Sequence, residues 1–188
     1  MTFNVTEANV TEALSDFTRR YVELWQEKTG FPPASSDLYG IPSPCIERTG
    51  DGVVHWLPQP FSVREKLQKV ETALDICLQS AIHDYYVTQL AGDMTASFEG
   101  QNFSLIQVWS EDDFIRLQEN LIGHLVTQKR LKLSPTVFIG TTDSDMGLIS
   151  VCNLTGQVIL EQFGSNERTM LSANLASFLS VINPVVCS

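Results

Sequence analysis

Carboxylates are the side chains of this sequence whose number and placement could do most. Between Val70 and Gln128, nine acids (Glu71, Asp75, Asp84, Asp93, Glu99, Glu111, Asp112, Asp113 and Glu119) face one base, Arg116, giving that stretch a formal charge of -8. Acids this one-sided, if folding gathers them on one face, steer cationic partners and accept charge-assisted hydrogen bonds from Lys and Arg. Aromatic rings are interleaved with them, Tyr85 and Tyr86 after Asp84 and Trp109 just ahead of Glu111. Rings beside carboxylates suit basic side chains, adding cation-π contact to charge pairing. The candidate partner-binding residues are therefore Asp84, Asp93, Glu111, Asp112, Asp113, Tyr86 and Trp109. The competing reading is that the acids are dispersed solubilising charge and that the rings belong to the core.

Other chemistry is thinly represented. His55, His83 and His124 stand on different expected elements without the short spacing of metal ligands, and His83 and Asp84, as helical neighbours, do not face each other. Cys45, Cys77, Cys152 and Cys187 are scattered singly, as free thiols in a reducing compartment would be. GxGxxG, Walker-type, HExxH and GxSxG patterns are all missing, which removes the usual sequence routes to nucleotide, zinc and serine-hydrolase chemistry. Neither a cofactor nor a metal is expected, and no catalytic residue is assigned.

Twelve basic and twenty-two acidic residues leave a net charge of -10, which repels phosphate backbones and anionic lipid headgroups alike. The first fifteen residues hold Glu7 and Glu12 and no base, unlike a secretory signal. The uncharged run from Leu171 to Ser188 is broken by Ser, Asn and Pro, so direct membrane insertion is not expected.

The elements that must position these residues follow from periodicity. Val10, Leu14, Phe17, Tyr21 and Leu24 predict a helix over about Thr6 to Thr29, stopped by Gly30, Pro32 and Pro33. LYGIPSPCIE, RTGDG and VVHWLPQPF read as a Pro-rich passage and two short strands around a glycine turn. Ser62 with Glu65 has the form of a capping box opening a helix through Leu67, Val70, Leu74 and Ile76, with a continuation ending near Gly92. Met94–Glu99 and Phe103–Trp109 predict a hairpin around Gly100, Gln101 and Asn102. Ser110 and Asp113 repeat the capping-box form ahead of a long helix that Pro135 ends, with acids at its start and Lys129, Arg130 and Lys132 at its finish. TVFIGT, LISVCN and QVILEQF predict an antiparallel meander, followed by a last helix through Leu171, Leu175 and Phe178. Without regular strand-helix alternation, the class is α+β in a single domain spanning residues 1–188, a mainly antiparallel sheet with helices packed on one side.

The segment WSEDDFIRLQENLIGHLVTQKRLKLSPTVFIGTT, Trp109 to Thr142, resembles the Syd family of the SUKH superfamily, supported by LYGIPSPCIE, WLPQPF, AGDM and ISVCNLTG. The resemblance implies a SUKH-type α+β fold and a non-enzymatic protein on the cytoplasmic side of the bacterial inner membrane. It implies further that the protein is held there peripherally by the SecY translocase subunit, whose basic cytoplasmic loops would meet an electronegative concave surface, and that it regulates or proofreads the translocase. Two rivals accompany this reading: an immunity-type SUKH protein neutralising a basic toxin, and a hydrolase that would gather His83 or His124 with a carboxylate in a deep pocket.

Overall fold

The computed structural model describes residues 9–144 and 146–187. Helix α1 (Val10–Thr29) turns Val10, Leu14, Phe17, Tyr21 and Trp25 inward, a stripe at three- and four-residue spacing. Asn9 caps its start, its side chain accepting from the Thr11 N–H at 2.8 Å. Gly30 stops it in the left-handed conformation at φ 78°, its N–H returning to the Gln26 carbonyl. Residues 6–8 of the expected helix lie outside the described residues.

Three short strands follow, β1 (Ala34–Ser35), β2 (Ile46–Gly50) and β3 (Val53–Trp56), forming an antiparallel sheet in the order β1-β3-β2. Strand β4 (Gln59–Pro60) pairs with β5 (Gln89–Leu90), and between them run α2 (Gln68–Leu74) and α3 (Ser80–Val87). The expected capping box at Ser62 is not made. Val63 and Leu67 are drawn into the core first, and α2 starts after Leu67 with no side-chain cap. Helix α3 also ends before Gly92, because Gln89 and Leu90 pair with β4 and the buried Gln89 amide donates to Thr18 and Gln107.

The main sheet has seven antiparallel strands in the order β11-β10-β9-β8-β7-β6-β12. They are β6 (Met94–Phe98), β7 (Gln101–Leu105), β8 (Thr136–Thr142), β9 (Gly147–Cys152), β10 (Val158–Gln162), β11 (Arg168–Ser172) and β12 (Asn183–Pro184). Strands β8, β9 and β10 are the expected meander. The β6-β7 turn is Glu99-Gly100, shifted from the expected Gly100-Gln101-Asn102: both residues have positive φ, 50° and 79°, the two-residue geometry that matches strand twist. Leu171 belongs to β11 rather than to the last helix, α5 (Leu175–Val181), which begins where Asn174 caps the Ser177 N–H. The domain is therefore α+β with a mainly antiparallel sheet, as expected.

Helix α4 (Glu111–Arg130) crosses from β7 to β8 and buries Phe114, Leu117, Leu121 and Leu125. Ser110 Oγ accepts from the Asp113 N–H at 3.2 Å, so the serine cap forms, while the Asp113 side chain reaches back to the Trp109 N–H and not to that of Ser110. Toward its other end a buried polar network joins helix to sheet. Thr136 Oγ1 lies 3.1 Å from His124 Nε2, accepts from Gln128 Nε2 at 2.6 Å and reaches Glu161 Oε1 at 3.1 Å. Burial holds His124 at about 4, a neutral ring, and raises Glu161. Ser110→Ala removes the α4 cap and is expected to lower stability by about 1 kcal/mol, read from the urea midpoint by far-ultraviolet circular dichroism. An unshifted midpoint would mean that the cap bears no weight.

Candidate interaction site

A hollow of about 560 Å³ opens where α1, the small sheet and the β5-β6 connection meet. Tyr21 and Trp25 come to it from α1, Val53 and Trp56 from β3, Asp37 from the turn after β1, Asp93 from the β5-β6 connection, and Thr95 and Ser104 from β6 and β7. The walls are rigid because their rings are packed on one another. Tyr21 stacks on Phe17 at 6.3 Å and on Trp56 at 6.1 Å between centroids, and meets Trp25 edge-on at 6.3 Å. Gly92 permits the close approach: a Cβ there would lie 2.6 Å from Trp56 Nε1 and 3.2 Å from Leu38 Cδ1.

Asp93 is the chemically distinctive member. It is solvent-exposed, while the protein packed around its carboxyl still takes away part of the hydration of its charge. This partial burial, with the negative charges of Asp113 and Asp37 added, raises its carboxyl from 3.8 to about 6, against the opposing hydrogen bond that Oδ1 accepts from the Gln107 N–H at 2.9 Å. Burial also raises the Tyr21 phenol, which stays a neutral group beside Asp93, Thr95 and Cys187.

A chain of hydrogen bonds fixes Asp113 relative to the Asp37 segment. Asp113 Oδ2 accepts from the Trp109 N–H at 2.8 Å, Trp109 Nε1 donates to the Ile41 carbonyl at 3.0 Å, and Ser43 Oγ donates to the Trp109 carbonyl at 2.7 Å. Ser35 Oγ accepts from the Leu38 N–H at 3.2 Å and closes the turn that carries Asp37.

Of the residues expected from sequence, Asp93 and Asp113 are brought together, and Glu111 and Asp112 lie exposed in the first turn of α4 next to Asp113. Asp84 is exposed elsewhere. It sits one turn ahead of Thr88, which contacts Thr11 at the far end of α1 from Trp25. Two expectations are corrected. Tyr86 is 1% exposed and donates its hydroxyl to the Phe138 carbonyl, and Trp109 is 2% exposed and bonded to Ile41. Both rings are core, since burying their apolar area and pairing their polar tips leaves nothing to offer a partner. Asp37, Tyr21 and Trp25 were not expected at the site. A lone acid in a serine turn carries no charge signal, and only the β1-β3 pairing brings it to the hollow.

The histidines do not build a catalytic constellation. His83 Nε2 lies 3.2 Å from Glu71 Oε1, not beside Asp84, and Glu71 Oε2 accepts from the Leu78 N–H, so the pair ties the α2-α3 connection. His124 and Glu161 are inside the core, at 5% and 3% exposure. His55 Nδ1 is 3.1 Å from the Pro32 carbonyl. Among the described residues no group of three His, Cys, Asp or Glu could hold a metal ion, and no helix is long and apolar enough to cross a membrane.

Fold and site together define an α+β domain, marked by an acid-lined hollow, whose described histidines are tied into structural contacts. The chain matches the family model described as Syd protein (SUKH-2) over residues 11–184. It is 72% identical over 179 residues to Protein Syd of Photorhabdus laumondii subsp. laumondii, covering 95% of this chain and 97% of that protein. The identity is 58% to Protein Syd of Yersinia enterocolitica (95% and 98% covered) and 57% to that of Yersinia pseudotuberculosis (96% and 98%). The chain belongs to the Syd family.

The raised Asp93 carboxyl has a signed consequence for stability. The unfolded chain releases this proton near 3.8 and the folded chain only near 6, so folding is favoured most below about pH 4 and loses stability as pH rises to about 6. Asp93→Asn, which keeps an Oδ1 acceptor for Gln107, is expected to melt above wild type at pH 8 and together with it at pH 4. A variant melting below wild type at pH 8 would contradict this assignment.

Proposed function

We propose that this protein acts by binding rather than by catalysis, docking on the cytoplasmic face of the SecY translocase subunit and regulating or proofreading the assembled translocase. It is then a peripheral protein of the cytoplasmic side of the bacterial inner membrane, held there through SecY. The observation that carries the reading is that Asp37 and Asp93 line one recess, with Asp113 near enough for its charge to act on Asp93. Carboxylates forced together in a partly hydrated recess gain most from a cation that neutralises them, which is what Lys- and Arg-rich loops supply. Family membership supports the same partner. Glu111 and Asp112, exposed in the first turn of α4 next to Asp113, add long-range attraction and speed encounter. The net charge of -10 keeps the protein off anionic headgroups, so the contact is with protein and not with lipid.

The test is binding of the full chain to SecY in lipid nanodiscs from about 0.1 M to about 1 M salt, over which the Debye length falls from about 10 Å to about 3 Å. Affinity is expected to fall at least about tenfold, mainly through slower association. Glu111→Gln with Asp112→Asn is expected to slow association further without changing the far-ultraviolet spectrum. Binding that ignores salt, or no binding to SecY at any salt, would remove this function.

A further inference from the structure

The bases at the far end of α4 take no part in the hollow. Lys129, Arg130 and Lys132 have the sign that a helix C-terminus favours, but the helix is closed by its own backbone. The N–H groups of Leu131, Lys132 and Leu133 donate to the carbonyls of Thr127, Lys129 and Gln128. All three basic side chains are exposed, and among the described residues none of them makes an ion pair. No acid occurs in the sequence between Glu119 and Asp143, so in a chain of net charge -10 this end of α4 is a local reversal of sign.

An apolar groove opens at the same place. It encloses about 820 Å³ between Leu74 and Ile76 at the end of α2, Leu125 and Val126 on α4, and Leu133 and Pro135 in the loop that leads to β8, with Lys129 and Arg130 on its α4 lip. The opposite lip carries one acid, Asp75, while the nearby Glu71 is engaged by His83 and the Leu78 N–H. Leu74, Ile76, Val126 and Leu133 are half-buried walls of a recess, so a flat bilayer would meet the lips and leave the walls uncovered, whereas a ridge of apolar side chains fills them. Lys129 and Arg130, as helical neighbours, project about 100° apart, and Lys132 lies beyond them, so acids spaced along a chain match the three better than one carboxylate headgroup does.

We propose that this groove is a second interaction surface, which receives an acidic amphipathic segment of a protein partner. The apolar ridge of the segment lies between α2 and α4, and its carboxylates, on the α4 side, meet Lys129, Arg130 and Lys132. Charge complementarity selects this occupant: the net charge of -10 repels an acidic partner at long range, so it is held only where the sign reverses, and a basic segment is turned away there. The surface is distinct from the hollow. Asp113, whose charge acts on Asp93, stands in the first turn of α4, and the groove lies at the other end of the same helix, about 30 Å away by helix rise. Both surfaces can be occupied at once, so the protein can join a basic surface to an acidic segment.

The experiment titrates full-length ¹⁵N-labelled protein with a capped peptide of repeated Glu-Leu-Leu-Glu units. The peptide is expected to shift the backbone N–H signals of Ala73 to Ile76, Val126 and Lys129 to Leu133, and to leave the Trp25 and Trp56 indole signals of the hollow in place. A Glu-Ser-Ser-Glu counterpart, which keeps the charge and lacks the ridge, should bind more weakly, and a Lys-Leu-Leu-Lys counterpart should not move the signals at the end of α4. Replacing all three bases, Lys129→Gln with Arg130→Gln and Lys132→Gln, should weaken the acidic peptide about tenfold, the sum of three exposed charge pairs. Ala73→Glu, at an exposed position lining the groove, should weaken it as well. Asp37→Asn and Asp93→Asn should bind it as wild type does, which separates this surface from the hollow. The proposal is overturned if the acidic peptide leaves the groove signals unmoved, if Glu-Ser-Ser-Glu binds equally, or if the triple Gln and Ala73→Glu variants, folded by their melting curves, bind like wild type. It is overturned too if sodium laurate or phosphatidylglycerol vesicles move these signals and the peptide does not, since the groove would then take an acyl chain or a bilayer.

Discussion

Like charges resist being gathered, and much of this structure serves to gather three of them. Asp93 lies where hydration is partial and where Asp37 and Asp113 oppose its ionisation, and one backbone N–H, from Gln107, is the hydrogen bond that holds its charge. Such a group is a standing cost to the isolated protein, since an incompletely hydrated carboxylate loses solvation that a single hydrogen bond does not replace. The cost has to be carried by packing elsewhere. It is carried by the same aromatic stack that forms the wall: Phe17, Tyr21 and Trp56 are at most 4% exposed and belong to the main core.

Core and site therefore share side chains. The inward stripe of α1 begins as ordinary core at Val10 and Leu14 and ends, two turns further along, as the wall of the hollow at Tyr21 and Trp25. Trp109 works similarly from the opposite side. Its backbone N–H holds Asp113, its indole holds Ile41, and its carbonyl is held by Ser43, so one buried residue sets the start of α4 against the loop that carries Asp37. A ring that looks from sequence like a contact residue is in fact what spaces two of the acids.

Elements whose signals are local were legible in the sequence. The α1 stripe with its glycine stop, the Ser110 cap, the dipole-matched ends of α4 and the β8-β9-β10 meander each depend on residues within a few positions of one another, and each formed as read, except that Trp25 and not Leu24 closes the buried stripe of α1. Readings failed where tertiary partners decided. Ser62 and Glu65 lost their capping role to the burial of Val63 and Leu67, and α3 was cut short by the pairing of Gln89 and Leu90 with β4. For the candidate site, the excess of acids took in Asp93, which lines the hollow, and Asp113, whose charge acts on it. It could not separate them from Asp84, because helix periodicity says which face a residue takes and not which end of a neighbouring helix that face meets. Asp37 was beyond reach of a charge count, being one acid in a Ser-rich turn.

Asp93 and the acids at the start of α4 do different work in the proposed reading, and their surroundings are the reason. Glu111 and Asp112 project into water at a helix start, where ions screen them and hydration already satisfies them, so a cation gains little by replacing that water. What such charges retain is reach, which acts on encounter. Asp93 is exposed as well, but with protein packed around its carboxyl and the charges of Asp37 and Asp113 nearby it has more to gain from a partner, because its alternatives are an opposed negative charge or a bound proton. A cation that fits displaces that proton and is held by an acid no longer fully hydrated; one that cannot enter competes only for the exposed pair. Discrimination among basic segments then comes from shape at the recess rather than from the total of -10, which any cationic surface would sense equally.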